Sequence, residues 1–295
     1  MTEEQPIPEE LLLGQFIPLH YHALMLTDQA RMGSFKTALE YVVPRGGRVL
    51  ELGGGTGVLS YFAAQKAARV WCVERNPELV DTARRLLVLN GVDDRVEVVA
   101  ADAYDYLPPE RVDVVVCEML HSGLLREKQA PLMVSFKERY LARFGPPLPA
   151  LVPEAAILGL QPVHHSFEFF GYQAPIPVFQ DPSQEKNEAS ICLAEPTATH
   201  SIIFSEPFST TIAWNSEVPI TRHGSINAIR FITRAILAVR VVEGDTVDWY
   251  LQHVLLPLEE PVTVWAGGRV RIAFSYEAGA PLRTLADTLR VSATG

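Results

Sequence analysis

Between residues 47 and 118, apolar runs of two kinds alternate, and this alternation restricts the chain more than any other feature. Strand-like runs (Arg48 to Leu52, Arg69 to Val73, Val96 to Ala100, Val112 to Cys117) are separated by runs with helical spacing (Val58 to Lys66, Pro77 to Asn90). Such succession implies a parallel sheet with helices wound over both faces. The near-continuous apolar stretches RVWCV and VDVVVC fit strands buried on both sides. The expected fold class is α/β, doubly wound and mostly parallel. Residues 10 to 43 look helical and precede the first strand. After Phe144-Gly145-Pro146-Pro147-Leu148-Pro149 the texture changes to β-branched, alternating stretches such as Ser201 to Phe204, Thr210 to Trp214, Ile236 to Val242 and Val270 to Ser275. The expected division is a helical segment over 1–46, an α/β domain over 47–148 and a β-rich domain over 149–295. Within the last, residues 171 to 190 are rich in proline and polar residues and read as a long excursion or arm.

Charge and cysteines narrow the partners. A formal charge of −10 argues against a nucleic-acid partner, which needs a basic face, and suits a cationic one, the plain alternative being acidity that serves solubility alone. No apolar run reaches about 18 residues, the length a membrane helix needs. The stretch MTEEQPIPEE is acidic where a secretory signal is basic, so the expected location is cytoplasmic, with no membrane partner. Cys72, Cys117 and Cys192 stand at no metal-ligand spacing and read as buried thiols, and the pair His164-His165 lacks further ligands nearby. No metal is expected.

The glycines of LELGGGTG, residues 50 to 57, sit at a strand-to-helix turn, the place where a nucleotide-type ligand meets an α/β sheet. A dinucleotide site needs G-x-G-x-x-G, whereas Gly53, Gly55 and Gly57 give G-x-G-x-G. Glu51 stands just before them, Glu74 ends the second strand, and Asp102-Ala103 follows the third. All would lie at the carboxyl edge of the sheet, where ligands bind. A dehydrogenase or flavodoxin-like domain shares any one of these features. The three in this order resemble the class I S-adenosylmethionine-dependent methyltransferases. That resemblance implies a Rossmann-like sheet, with Glu51, Gly53, Gly55, Glu74, Asp102 and Ala103 around S-adenosylmethionine. Glu74 would accept the ribose hydroxyls and Asp102 the adenine amino group, and S-adenosylhomocysteine would be the product.

The fourth strand runs VDVVVCEMLHSGLLREKQ, with Glu118 at its end and Glu127 nine residues later. Here the chain resembles the protein arginine methyltransferase family, which carries two glutamates at this separation after the same strand. A planar, cationic guanidinium suits such a pair, since two carboxylates can hold two nitrogens and orient the third. Taken alone, Glu127 between Arg126 and Lys128 also reads as a solvated residue. The intervening MLHSGLLR departs from the family's aromatic-rich loop. A second match is HALMLTDQARMGSF, residues 22 to 35, which resembles the family's N-terminal helix. By it His22 and Met25 would flank the reacting centre, Asp28 would join the active-site hydrogen bonds, and Arg31 would pair with the cofactor carboxylate. The plain alternative is an amphipathic helix with Leu24, Met25 and Met32 in the core. More loosely, the family's β-barrel-like domain would open at Leu151 to Ala155. Gly224 to Leu237 would form a strand pair and QHVLLPLEEPVTVWAGGRV a hairpin. The family's Thr-His-Trp loop reads Val247-Asp248-Trp249-Tyr250 here, so the histidine that should pair with Asp28 is absent, and Asp248 near Asp28 needs a cation or a proton between them. The resemblance implies a homodimer through the arm at 171–190 and methylation of a guanidino group on a protein, peptide or small molecule. Rival readings are another N- or O-acceptor in a small metabolite, or a catalytically silent adaptor with the same fold.

Overall fold

The computed structural model describes residues 17–182 and 189–294. Five strands, β1 (Arg48–Leu52), β2 (Arg69–Glu74), β3 (Val96–Ala100), β4 (Val114–Cys117) and β5 (Ala150–Val152), form one all-parallel sheet in the order β3-β2-β1-β4-β5. The order reverses between β1 and β4, which opens a crevice at their carboxyl ends. β1 is buried from Val49 to Leu52 and β4 throughout, as their unbroken apolar runs require. Helices α1 (Leu19–Thr27), α2 (Gln29–Val42), α3 (Val58–Ala63), α4 (Pro77–Leu89) and α5 (Gln129–Phe144) accompany the sheet. Asn76 caps α4 by accepting from the Glu78 amide at 3.0 Å, and Pro77 takes the first helical position, where no N–H is missed.

Beyond β5 every strand pairing is antiparallel. The strands are β6 (Ala155–His165), β7 (Glu168–Phe169), β8 (Tyr172–Gln173), β9 (Val178–Gln180), β10 (Ser190–Cys192), β11 (Thr197–Ile203), β12 (Thr211–Pro219), β13 (Gly224–Arg240), β14 (Asp245–Tyr250), β15 (His253–Val264), β16 (Arg269–Glu277) and β17 (Arg290–Thr294), with α6 (Leu282–Thr288) before the last. A large sheet runs β10-β6-β13-β15-β9, with β11 paired to β6 and β14 to β13. A smaller sheet runs β12-β16-β17, and β7 and β8 form a two-stranded ribbon. The fold is therefore a parallel, doubly wound sheet followed by an antiparallel sheet-rich region. No described helix is long and apolar enough to cross a membrane.

Several expectations change in detail. The helical stretch before β1 is broken at Asp28, whose ψ of 96° is extended. Its carboxylate accepts from the Arg31 amide and so starts α2 anew, while residues 10–16 lie outside the described part. Helix α3 stops at Ala63 rather than Lys66, and β4 starts at Val114 because Asp113 is engaged with the Arg48 backbone. The parallel sheet extends to Val152, past the expected division at 148. Gly224 to Leu237 is no strand pair. It lies within one 17-residue strand that absorbs irregularities near Asn227 and Leu237. Nor do the strands flanking Trp265 make a hairpin, since β15 joins the large sheet and β16 the small one. Within 171–190, β8, β9 and Ser190 of β10 are described and residues 183–188 are not. Cys72 and Cys117 are buried as expected, but Cys192, on the short edge strand β10, is exposed.

Candidate active site

A cavity of about 390 Å³ opens at the carboxyl edge of β1, β2 and β4, where the strand order reverses. Its floor is the turn after β1. Gly53, Gly55 and Gly57 have φ of 77°, 54° and 82°, values that side chains resist. A Cβ on Gly55 would stand 2.9 Å from the His22 ring, and one on Gly53 3.1 Å from Met119. These glycines let the backbone approach whatever lies above it.

Glu74 is oriented by three backbone donors. Gly55 N–H binds its Oε2 at 2.9 Å, and Arg75 and Asn76 N–H bind its Oε1 at 2.8 Å each. Oε2, with one bond, keeps acceptor capacity toward the cavity. Asp102 accepts from the Tyr104 amide at 2.9 Å and from Arg75 Nη1 at 2.8 Å, and Ala103 lines the wall beside it. Glu51 is buried and bonded by the Ser60 hydroxyl. Burial pushes its pKa up to about 8, against the opposing pull of Ser60, so it carries its proton at neutral pH.

The other end of the cavity is acidic. Glu118 leaves β4 and Glu127 returns to the same space, both lining it. The loop between them carries three positive φ values, at Gly123 (70°), Leu124 (55°) and Arg126 (60°), a conformation that costs free energy and persists because its surroundings hold it. Thr233 of β13 accepts the Gly123 amide at 2.7 Å, the buried Tyr276 hydroxyl of β16 donates to the Gly123 carbonyl at 2.7 Å, and Ser122 donates to the Gln252 carbonyl. Gln129 accepts the Met119 amide at 2.9 Å. Burial raises both acids, Glu127 to about 8, with the charge of Glu118 pushing it further the same way. Arg31 opposes the rise at Glu118, to which it donates a hydrogen bond. Glu127 thus carries its proton near neutrality, and Arg31 favours the charged form of Glu118 against its burial.

His22 and Met25 of α1 line the cavity, whereas Leu24 is exposed, so the stretch is not a buried amphipathic helix. Asp28 does not line it and serves as the cap of α2, although its charge reaches Glu118. Arg31 faces the acids, lying 5.3 Å from the Trp249 ring. Asp248 is held by Arg234 of β13, which binds it through Nε at 2.8 Å and through Nη2. Trp249 packs against Phe35 and lines the cavity, while Tyr250 is exposed. Sequence reasoning passed over Thr233, Arg234 and Tyr276, which reach the site from elements distant in the chain, and Gln129, two residues after Glu127. His164 and His165 hydrogen-bond to Ser225 and Ser190, and no group of acids, histidines and cysteines among the described residues is arranged for a metal.

Comparison with known proteins agrees with this geometry. A family model described as "Methyltransferase domain" matches residues 49–142, the span from β1 through most of α5. An uncharacterized protein of Methanocaldococcus jannaschii is 29% identical over 90% of this chain and 95% of its own. Protein arginine N-methyltransferase PRMT10 of Arabidopsis thaliana is 32% identical over 54% of this chain, and the matched stretch spans only 42% of that protein's length. Among solved structures, the Trypanosoma brucei PRMT1 enzyme-prozyme heterotetrameric complex with AdoHcy superposes with a TM-score of 0.70 over 87% of each chain at 18% identity, a likeness of fold. This chain carries a class I, S-adenosylmethionine-dependent methyltransferase domain in a fold that resembles the protein arginine methyltransferases.

Proposed function

We propose that the chain transfers a methyl group from S-adenosylmethionine to a guanidino nitrogen, on a protein, a peptide or a small molecule. The observation that carries this reading is the pair of half-buried carboxylates, Glu118 and Glu127, at the two ends of one loop, facing the cavity that Gly53, Gly55 and Glu74 open to a nucleoside. Arg31 is already a guanidinium against Glu118, which supports the view that this acidic end accepts that chemical group.

The cofactor fits the residues present. Glu74 holds acceptor capacity at the ribose position, the glycine turn permits close backbone approach, and the buried His22 Nε2 and Arg31 Nε have no hydrogen-bond partner and await one. Glu51, Asp102 and Ala103 complete that half, and Arg31 would meet the carboxylate end. When bound, S-adenosylmethionine supplies an electrophilic methyl on a sulfonium. The chain's own residues do the positioning. Glu118 and Glu127 hold two acceptor nitrogens and leave the third directed into the cavity, His22 and Met25 flank it, and Trp249 closes one wall. A cation entering between the acids favours the charged form of Glu127, which yields its proton.

The test is release of S-adenosylhomocysteine with arginine-rich peptides and with free guanidino compounds, beside calorimetric cofactor binding. Glu118→Gln should lower turnover by about 100-fold or more while cofactor affinity stays within a few-fold. Tight cofactor binding with no guanidine turnover would instead favour another acceptor or a silent role, a reading that Asp248 in place of the family's histidine also supports. The homodimer expected through 171–190 is a separate proposal, and a monomer mass by light scattering would overturn it.

A further inference from the structure

The large antiparallel sheet holds a second cluster of buried polar groups, none of which lines the cavity described above. Successive side chains of a strand point to opposite faces. Phe231 of β13 faces the small sheet, where it meets Phe274 edge-on at 5.4 Å, so Arg230 points the other way. Gln161 stands opposite Arg230 across β6, and Gln180 stands opposite His253 across β9. Arg230 also faces Leu255, two residues beyond His253, so the four side chains share one face. Val163, Phe167, Ala228 and Leu255 wall them in. Arg230 and His253 are only 3% and 2% exposed, and Gln180 6%.

Their hydrogen bonds do not balance. Arg230 Nη1 donates to Gln161 Oε1 at 2.9 Å, but its Nε and Nη2, both ring nitrogens of His253 and both polar atoms of the Gln180 amide have no partner. Leaving such groups unsatisfied is costly, and native interiors avoid it. Donors exceed acceptors here, because a guanidinium only donates and an imidazole and an amide each donate as well as accept. Burial, then the charge of Arg230, holds His253 down to about 4, and the same two causes lower His165. Asp181 acts electrostatically on His253, yet it bonds none of the orphaned atoms. The complement to this set is rich in acceptors and negatively charged.

We propose that Arg230, His253 and Gln180 form a binding site for a small oxyanion, on the face of the large sheet opposite the small one and apart from the methyl-transfer cavity. An oxyanion there bridges β13, β15 and β9 and so fastens the start of the arm to the sheet.

The test uses the full chain in chloride buffer with S-adenosylhomocysteine in excess, so that the cofactor cavity is filled. Inorganic phosphate and acetate are titrated at constant ionic strength, followed by calorimetry and thermal unfolding. A saturable, one-to-one stabilisation is expected, with Arg230→Gln weakening it about tenfold or more. Phosphate alone stabilising would assign a tetrahedral ligand, and acetate acting equally would assign a carboxylate. Arg230→Gln is a buried change that can impair folding, so Asp181→Asn, at an exposed position, provides the opposite sign and should tighten binding. No saturable effect beyond chloride, or equal affinity in the original chain and in Asp181→Asn, would overturn the site, as would a crystal grown in phosphate with only water at Arg230 Nη2.

Discussion

On the proposed function, Glu127 sets the pH at which the acidic end is ready for a cation. With its pKa raised to about 8 by burial and by Glu118, the fraction of Glu127 that carries a charge grows as pH rises through that value. The kcat/KM for a guanidinium acceptor should therefore climb from neutral pH toward about 9. Glu127→Gln should abolish that inflection; an inflection that persists in the variant would assign it to another group. Gly55 is a second sharp point. Its φ is 54°, and an added methyl there would stand 2.9 Å from the His22 ring, so Gly55→Ala combines a backbone cost of roughly 1–2 kcal/mol with a displaced ring. Cofactor affinity by calorimetry should fall about tenfold or more, and an unchanged affinity would mean that the turn does not touch the ligand.

At the scale of elements, β13 and β14 meet beside the acidic end of the cavity through Arg234 and Asp248. Removing the Arg234 side chain with Arg234→Met leaves the partly buried Asp248 unpaired and should cost about 1–3 kcal/mol in urea unfolding. Adding Asp248→Leu should recover most of that loss, and simple additivity of the two changes would show that the pair is not coupled. This pairing also marks where sequence reading stops. The parallel sheet was legible because strands buried on both faces leave unbroken apolar runs, and the glycine turn because positive φ demands glycine. Arg234 was not, since its distance from Asp248 depends on the register and irregularity of β13 against β14. Glu127 taken alone looked solvated between two basic neighbours and was legible only through its spacing from Glu118, because the positive φ at Arg126 that accompanies its turn toward the cavity leaves no mark in the sequence. The all-β texture of the second half was readable, but which strand joined which sheet was not, because alternation reports faces and not partners.

For the molecule as a whole, buried acids couple stability to pH. Glu51 rises from an ordinary 4.5 to about 8 on folding, so the folded state binds more protons between those values. Its contribution is full below about 4.5 and is lost as pH rises toward 8, by at most about 1.4 kcal/mol per pH unit. Relative to the original chain, Glu51→Gln should gain stability as pH is raised across that window; parallel stability curves would show that Glu51 ionises freely. The loop between Glu118 and Glu127 has a wider consequence. It grows out of the parallel sheet, but Thr233, Tyr276 and the Gln252 carbonyl, all from the antiparallel half, hold its shape. The two halves of the chain thus share one site: the first half supplies the two acids and the second braces the loop that joins them. On the proposed function, changes at Thr233 of β13, at Tyr276 of β16 or in the turn at Gln252 would retune which nucleophile is accepted while leaving in place the glycine turn and Glu74, which lie wholly in the first half.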